Sequence, residues 1–121
     1  MNHCVVFMLD EDKDFLKLYS ALLRRKGCQV FATDNLFLLI KYASSARPSW
    51  IFIDEDCAAG HSAELIAALN QQLSLPDTHY TIMLKQKSCA SLNLTPPAHC
   101  LYKPLALEKI MRIAENCCIM P

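Results

Sequence analysis

Between Pro48 and Gly60 lies Trp50-Ile51-Phe52-Ile53, an apolar run that stops abruptly at the three carboxylates Asp54-Glu55-Asp56. A short run rich in aromatic and β-branched residues, bounded by a proline and a glycine, suits a strand covered on both faces. Such strands belong to parallel sheets, whose chemistry gathers at the carboxyl ends. Val5-Val6-Phe7-Met8-Leu9 repeats the pattern and stops at Asp10-Glu11-Asp12. If the two strands are parallel neighbours, several carboxylates converge on one edge, where their repulsion needs a cation.

The strands alternate with helical patterns. Phe15, Leu18, Tyr19, Leu22 and Leu23 predict an apolar stripe on a helix from about Lys13 to Lys26, with Arg24-Arg25-Lys26 at its negative end and Gly27 available for a left-handed cap. Gln29-Val30-Phe31-Ala32 reads as a short strand. Thr33-Asp34-Asn35 offers N-caps for a second helix with Leu36, Leu39, Ile40 and Ala43 inward, and Ser44 to Ser49 reads as the loop back. After the central strand, Ala58-Ala59-Gly60-His61 is a loop, and a third helix from about Ser62 to Leu73 buries Leu65, Ile66 and Leu69 before Pro76. Tyr80 to Leu84 is a fourth strand ending in Lys85-Gln86-Lys87. Pro96-Pro97 limit any helix between Ser88 and Ala98 to a couple of turns. Cys100-Leu101-Tyr102 is a fifth strand, Lys103-Pro104 a turn, and Leu107, Ile110, Met111 and Ala114 mark a last helix reaching toward Cys118. Five alternations without repeat or linker predict one domain over residues 1–121, a doubly wound α/β sandwich with a five-stranded parallel sheet.

Composition narrows the function. Twelve basic and twelve acidic residues balance with no basic stripe, which argues against direct nucleic-acid binding. The longest apolar run, near Leu36 to Ile40, is too short to cross a bilayer, and no basic flank precedes the first strand as in a signal peptide; the expected location is the cytoplasm, away from membranes. Seven cysteines, at 4, 28, 57, 89, 100, 117 and 118, form no C-x-x-C pair and read as reduced thiols, mostly small core hydrophobes. Trp50 reads as packing at the start of a buried strand. His3, His61, His79 and His99 lack ligand spacing, so surface or capping roles are expected.

Asp10 and Glu11 after the first strand, Asp54 after the third and Lys103 after the fifth place three acids and an amine at one edge. Hard oxygen donors in that number suit Mg²⁺, and a lysine beside them is a counter-charge for a phosphoryl oxygen. Any one of these acids could instead be an ordinary helix cap; their joint occurrence favours a site.

The chain here resembles a response-regulator receiver domain of two-component signalling. The resemblance rests on Leu9-Asp10-Glu11-Asp12 as the acid pair, Pro48 through Asp54 as the phosphoacceptor strand, and Tyr102-Lys103-Pro104-Leu105 as the lysine-proline turn. It implies strand order 2-1-3-4-5 and a nucleophilic Asp54 that accepts a phosphoryl group from a histidine kinase or phosphotransfer protein. It also implies Mg²⁺ held by Asp10 or Glu11, by Asp54 and by the main-chain carbonyl of Asp56. Lys103 would pair with the phosphoryl group, followed by a cis Lys103-Pro104 bond. The chain would then be a phosphoacceptor with no enzymatic activity beyond its own phosphorylation and dephosphorylation. It would signal to a downstream protein or output domain, with homodimerisation as a further possibility.

Several positions depart from the family pattern. Lys85 stands where a switch threonine or serine is usual, bulky Gln86 where a small residue is usual, and Cys100 where an aromatic rotates. The fourth helix is shortened around Pro96-Pro97, and Cys57, Ala58 and Ala59 replace the usual proline and glycines after the acceptor. The lost hydroxyl at Lys85 and the lost aromatic at Cys100 support an alternative, a phosphorylation-independent pseudo-receiver in which Lys85 pairs with Asp54 or Asp56 and its ammonium stands in for the metal. A flavin-binding redox protein would need a phosphate-cradling loop after the first strand; Asp10-Glu11-Asp12 repel phosphate there.

Overall fold

The computed structural model describes residues 4–58, 61–73, 78–84, 98–103, 106, 108–112 and 115. Its elements run β1 (Val5–Leu9), α1 (Lys13–Arg25), β2 (Gln29–Thr33), α2 (Leu36–Ala46), β3 (Trp50–Asp54), α3 (Ser62–Leu73), β4 (His79–Leu84) and β5 (Ala98–Tyr102), with helix again at 108–112 and 115. The five strands form one sheet in the order β2-β1-β3-β4-β5, every pairing parallel. The expected doubly wound α/β sheet with order 2-1-3-4-5 is the fold observed. The expected shortened fourth helix falls at 85–97, outside the described residues.

The apolar strands are apolar throughout because both faces are covered, and the period of two sorts their side chains into two cores. Val6 and Met8 of β1, Phe52 of β3 and Met83 of β4 point to one side with Leu16, Tyr19 and Leu23 of α1 and Ile110. Phe7 and Leu9, Ile51 and Ile53, and Tyr80, Ile82 and Leu84 point to the other with Leu39 and Ala43 of α2 and Ile66 and Leu69 of α3. Trp50, partly buried, stacks on His79 at 4.7 Å between ring centroids and donates its indole N–H to Thr81 Oγ1 at 2.7 Å, as a packing role requires.

Local chemistry sets the helix ends. Asp12 caps α1, its carboxylate accepting from Phe15 N at 3.0 Å, and Gly27 follows the helix at φ +93°. Asn35 caps α2 by accepting from Leu38 N at 3.1 Å. Two expectations need correction. Leu18 is exposed and Leu16 takes its place in the core, because the buried row of α1 runs through Leu16, Tyr19, Ser20 and Leu23. The segment read as a loop from Ser44 begins as helix: α2 continues to Ala46 and ends where Arg47 adopts the left-handed conformation, ahead of Pro48. Ser44 and Ser45 are accommodated there because their hydroxyls turn back onto the carbonyls of Lys41 and Tyr42.

Candidate functional site

Strand register assembles the site. Leu9 pairs with Ile53 across β1 and β3, so Asp10, just past β1, and Asp54, the last residue of β3, stand side by side at the carboxyl edge of the sheet. Leu84 pairs with Tyr102, and Lys103 N donates to Leu84 O at 2.7 Å, which brings Lys103 off the same edge. Asp10 and Asp54 are buried, at 1% and 3% exposure, which for carboxylates demands partners. Lys103 supplies one for both. Its ammonium donates to Asp10 Oδ2 at 2.5 Å and lies 3.0 Å from Asp54 Oδ1. The other oxygens are held by backbone: Asp12 N donates to Asp10 Oδ1 at 2.9 Å and Cys57 N to Asp54 Oδ2 at 3.2 Å. Each acid therefore opens a tight turn that aims one oxygen at the shared centre.

The ammonium has a third neighbour, the Phe15 ring, whose centroid is 4.6 Å from Lys103 Nζ and which packs in turn on Tyr19. Burial pulls the Lys103 ammonium toward neutrality, but the hydrogen bond to Asp10 and the pairing with Asp54 outweigh it and hold its pKa above the usual lysine value. Cys57 registers the opposite field. Burial first, then the charges of Asp54, Glu11 and Asp10, push its thiol up to about 12. Glu11 thus contributes to the negative potential of the cluster while remaining solvent-exposed. Asp56 is exposed on the turn spanning 55–58.

Of the residues singled out in the sequence, Asp10, Asp54 and Lys103 converge, with Glu11 and Asp56 on the flanking turns. Lys85 and Gln86 lie outside the described residues, as does Pro104 of the lysine-proline turn. Cys100 is partly buried in β5, where it packs against the second core beside Ile82. Sequence reasoning gave Phe15 only a core role and Cys57 only a loop role. The position of Phe15 in the first turn of α1, directly after the acid cluster, was the available signal for the first. For Cys57 it was the three-residue spacing from Asp54.

Among the described residues no three metal-binding side chains are drawn into one group. The pair of hard carboxylates does fit a small divalent cation. Asp54 Oδ1 is fully buried and, among the described residues, its charge is met by the Lys103 ammonium 3.0 Å away.

No protein-family model matches the sequence, and no curated protein does. Solved structures do. The beryllofluoride-activated NtrC4 receiver domain dimer superposes with a TM-score of 0.81 at 16% identity, covering 94% of this chain and 95% of that one. A two-component response regulator from Clostridium difficile gives 0.78 at 21% identity, with 93% of both chains covered. The Vibrio cholerae chemotaxis protein CheY4 gives 0.77 at 17% identity, covering 95% of this chain and 98% of that one. The chain has the receiver-domain fold. At these identities the likeness speaks for the fold, and the chemistry must be argued from Asp10, Asp54 and Lys103 themselves. No helix among the described residues is long and apolar enough to cross a membrane.

Proposed function

We propose that the protein is a receiver domain in which Asp54 accepts a phosphoryl group from a histidine kinase or a phosphotransfer protein. The observation that carries this reading is the Asp10–Lys103–Asp54 constellation at the carboxyl edge of the sheet, with the buried Asp54 Oδ1 facing the Lys103 ammonium. Asp54 is the nucleophile, because its Oδ2 is anchored by Cys57 N while Oδ1 faces the shared centre. Lys103 is the cation that follows the charge: it neutralises the two acids at rest and turns to the added phosphoryl oxygens afterwards. Asp10 positions that ammonium and, with Asp54, would hold Mg²⁺; the main-chain carbonyl of Asp56 and the exposed Glu11 are further oxygen donors nearby. When bound, the metal offsets the repulsion between carboxylates and phosphoryl oxygens.

The chain acts in the cytoplasm, performs no chemistry beyond gaining and losing this group, and signals by protein contact with a downstream target or output domain. Cys100 has no ring to swing inward, so the signal leaves without an aromatic rotamer switch. Incubation with a phosphorylated histidine phosphotransfer domain tests the reading: label moves to the wild-type chain and not to Asp54→Asn, and equal labelling of the two would defeat it.

A second reading draws on the same contact. With the Lys103 ammonium already set between Asp10 and Asp54, the acids have their counter-charge without a metal. A pseudo-receiver that uses the domain only as a protein-interaction module is consistent with this, and Lys85 would add to it. Replacing Lys85→Thr and Gln86→Ala together separates the two. Faster phosphate uptake in the double variant than in the wild type means that an active acceptor is restrained by these side chains, and no uptake in either favours the pseudo-receiver.

A further inference from the structure

Phe15 stands where the acid edge runs into α1, and a chain of hydrogen bonds ties its backbone to the site. Asp12 N donates to Asp10 Oδ1 at 2.9 Å, and Asp12 Oδ1 in turn accepts from Phe15 N at 3.0 Å. The cap that starts the helix thereby also registers Phe15 against the Asp10 carboxylate. From there the side chain packs on Tyr19, one helical turn further, with ring centroids 4.5 Å apart, and Tyr19 is buried in the first core. Held by its backbone and by this packing, the Phe15 ring lies beneath the Lys103 ammonium, its centroid 4.6 Å from Nζ.

An apolar residue in the first turn of an amphipathic helix ordinarily does no more than extend the core, and a leucine would serve. What sets Phe15 apart is its neighbour. The Lys103 ammonium donates to Asp10 Oδ2 and faces Asp54 Oδ1, so negative charge meets it on two sides; the ring offers the negative face of its quadrupole on another. A lysine needs such a hold, because its stem is flexible and its ammonium strongly hydrated. The side chain of Lys103 is 14% exposed, so water competes with the acids for it.

We infer that Phe15 is a positioning residue for Lys103: its ring face holds the ammonium on Asp10 and Asp54, where an aliphatic side chain would let it swing out to water. The consequence for phosphoryl transfer rests on the phosphoacceptor reading; the hold itself does not. In that reaction the ammonium is already beside Asp54 Oδ1 when the phosphoryl group arrives. A lysine that had to be ordered at that moment would add its lost freedom to the barrier.

Hydrogen exchange at the Lys103 ammonium, followed by nuclear magnetic resonance on a nitrogen-labelled chain, reads the hold directly. The wild-type chain and Phe15→Tyr, which keeps the ring, should show a protected ammonium. Phe15→Leu and Phe15→Met, which keep apolar bulk without a ring, should exchange about fivefold faster. Their circular dichroism should be unchanged, because the buried row of α1 is intact. Packing alone would not separate aromatic from aliphatic variants in this way. The rate at which Asp54 gains a phosphoryl group from a small phosphodonor with Mg²⁺ should divide the variants likewise, about fivefold slower in both aliphatic variants and near wild type in Phe15→Tyr. Equal ammonium exchange in the wild type and the aliphatic variants overturns the proposal, as does a phosphorylation rate unchanged by loss of the ring. A wild-type chain that gains no phosphoryl group defeats the phosphoacceptor reading instead, and the exchange measurement then still decides whether Phe15 holds Lys103.

Discussion

At the scale of single residues, the edge site is a balance between two buried acids and one ammonium. Truncating the ammonium leaves Asp10 and Asp54 side by side with no counter-charge. Lys103→Met is therefore expected to lower stability by about 3 kcal/mol in urea unfolding, and adding Asp54→Asn should recover part of the loss because one repelling charge is gone. The titration of the same region has a definite sign. Between 9.0 and about 12 the unfolded chain ionises Cys57 while the folded chain keeps the thiol, so stability falls as pH rises through that window. Buried Tyr80, raised from 10.0 to about 12, acts in the same direction. Lys103, with a pKa raised in the fold, contributes stability that is complete below the usual lysine value and lost above it. Urea midpoints measured from pH 8 to 11 should fall steadily, and more shallowly in Cys57→Ala; a flat profile would contradict the burial of these groups. Asp10, Asp54 and Lys103 were legible in the sequence because each follows an apolar strand. The ring of Phe15 over the ammonium was not, since helical spacing says which residues face inward and not which of them borders a charge.

At the scale of elements, the helix termini show where pattern reading works and where it stops. Asp12 and Asn35 were legible as N-caps because the backbone N–H groups at a helix start need acceptors that such side chains provide. Gly27, at φ +93°, has nothing within 4 Å of where a Cβ would stand, so Gly27→Ala costs only backbone strain, about 1 kcal/mol in thermal or urea unfolding. The end of α2 was misjudged because it has no glycine. Arg47 adopts φ 50° in spite of its side chain, and Arg47→Gly is expected to relieve strain and raise stability by about 0.5 kcal/mol, measured the same way. The exchange of Leu18 for Leu16 has a different cause. Several leucines on one helix satisfy overlapping apolar stripes, and only the sheet beneath selects which row is buried.

At the scale of the whole molecule, the alternation of apolar strands with amphipathic helices carried the fold class. The period of two within each strand then produced two cores on opposite sides of one sheet. The strand order itself was not in the periodicity; it entered through the resemblance carried by Asp10-Glu11, Asp54 and Lys103-Pro104, and the parallel pairings β2-β1-β3-β4-β5 bear it out. The order matters for function, because only adjacency of β1 and β3 brings Asp10 beside Asp54. Whether that juxtaposition works as a phosphoacceptor is decided by the intact mass of the chain after incubation with a small phosphodonor and Mg²⁺. A slow gain of one phosphoryl group, dependent on Mg²⁺, abolished in Asp54→Asn and accelerated in Lys85→Thr/Gln86→Ala, is the predicted result; an unchanged mass in both the wild type and the double variant would contradict it.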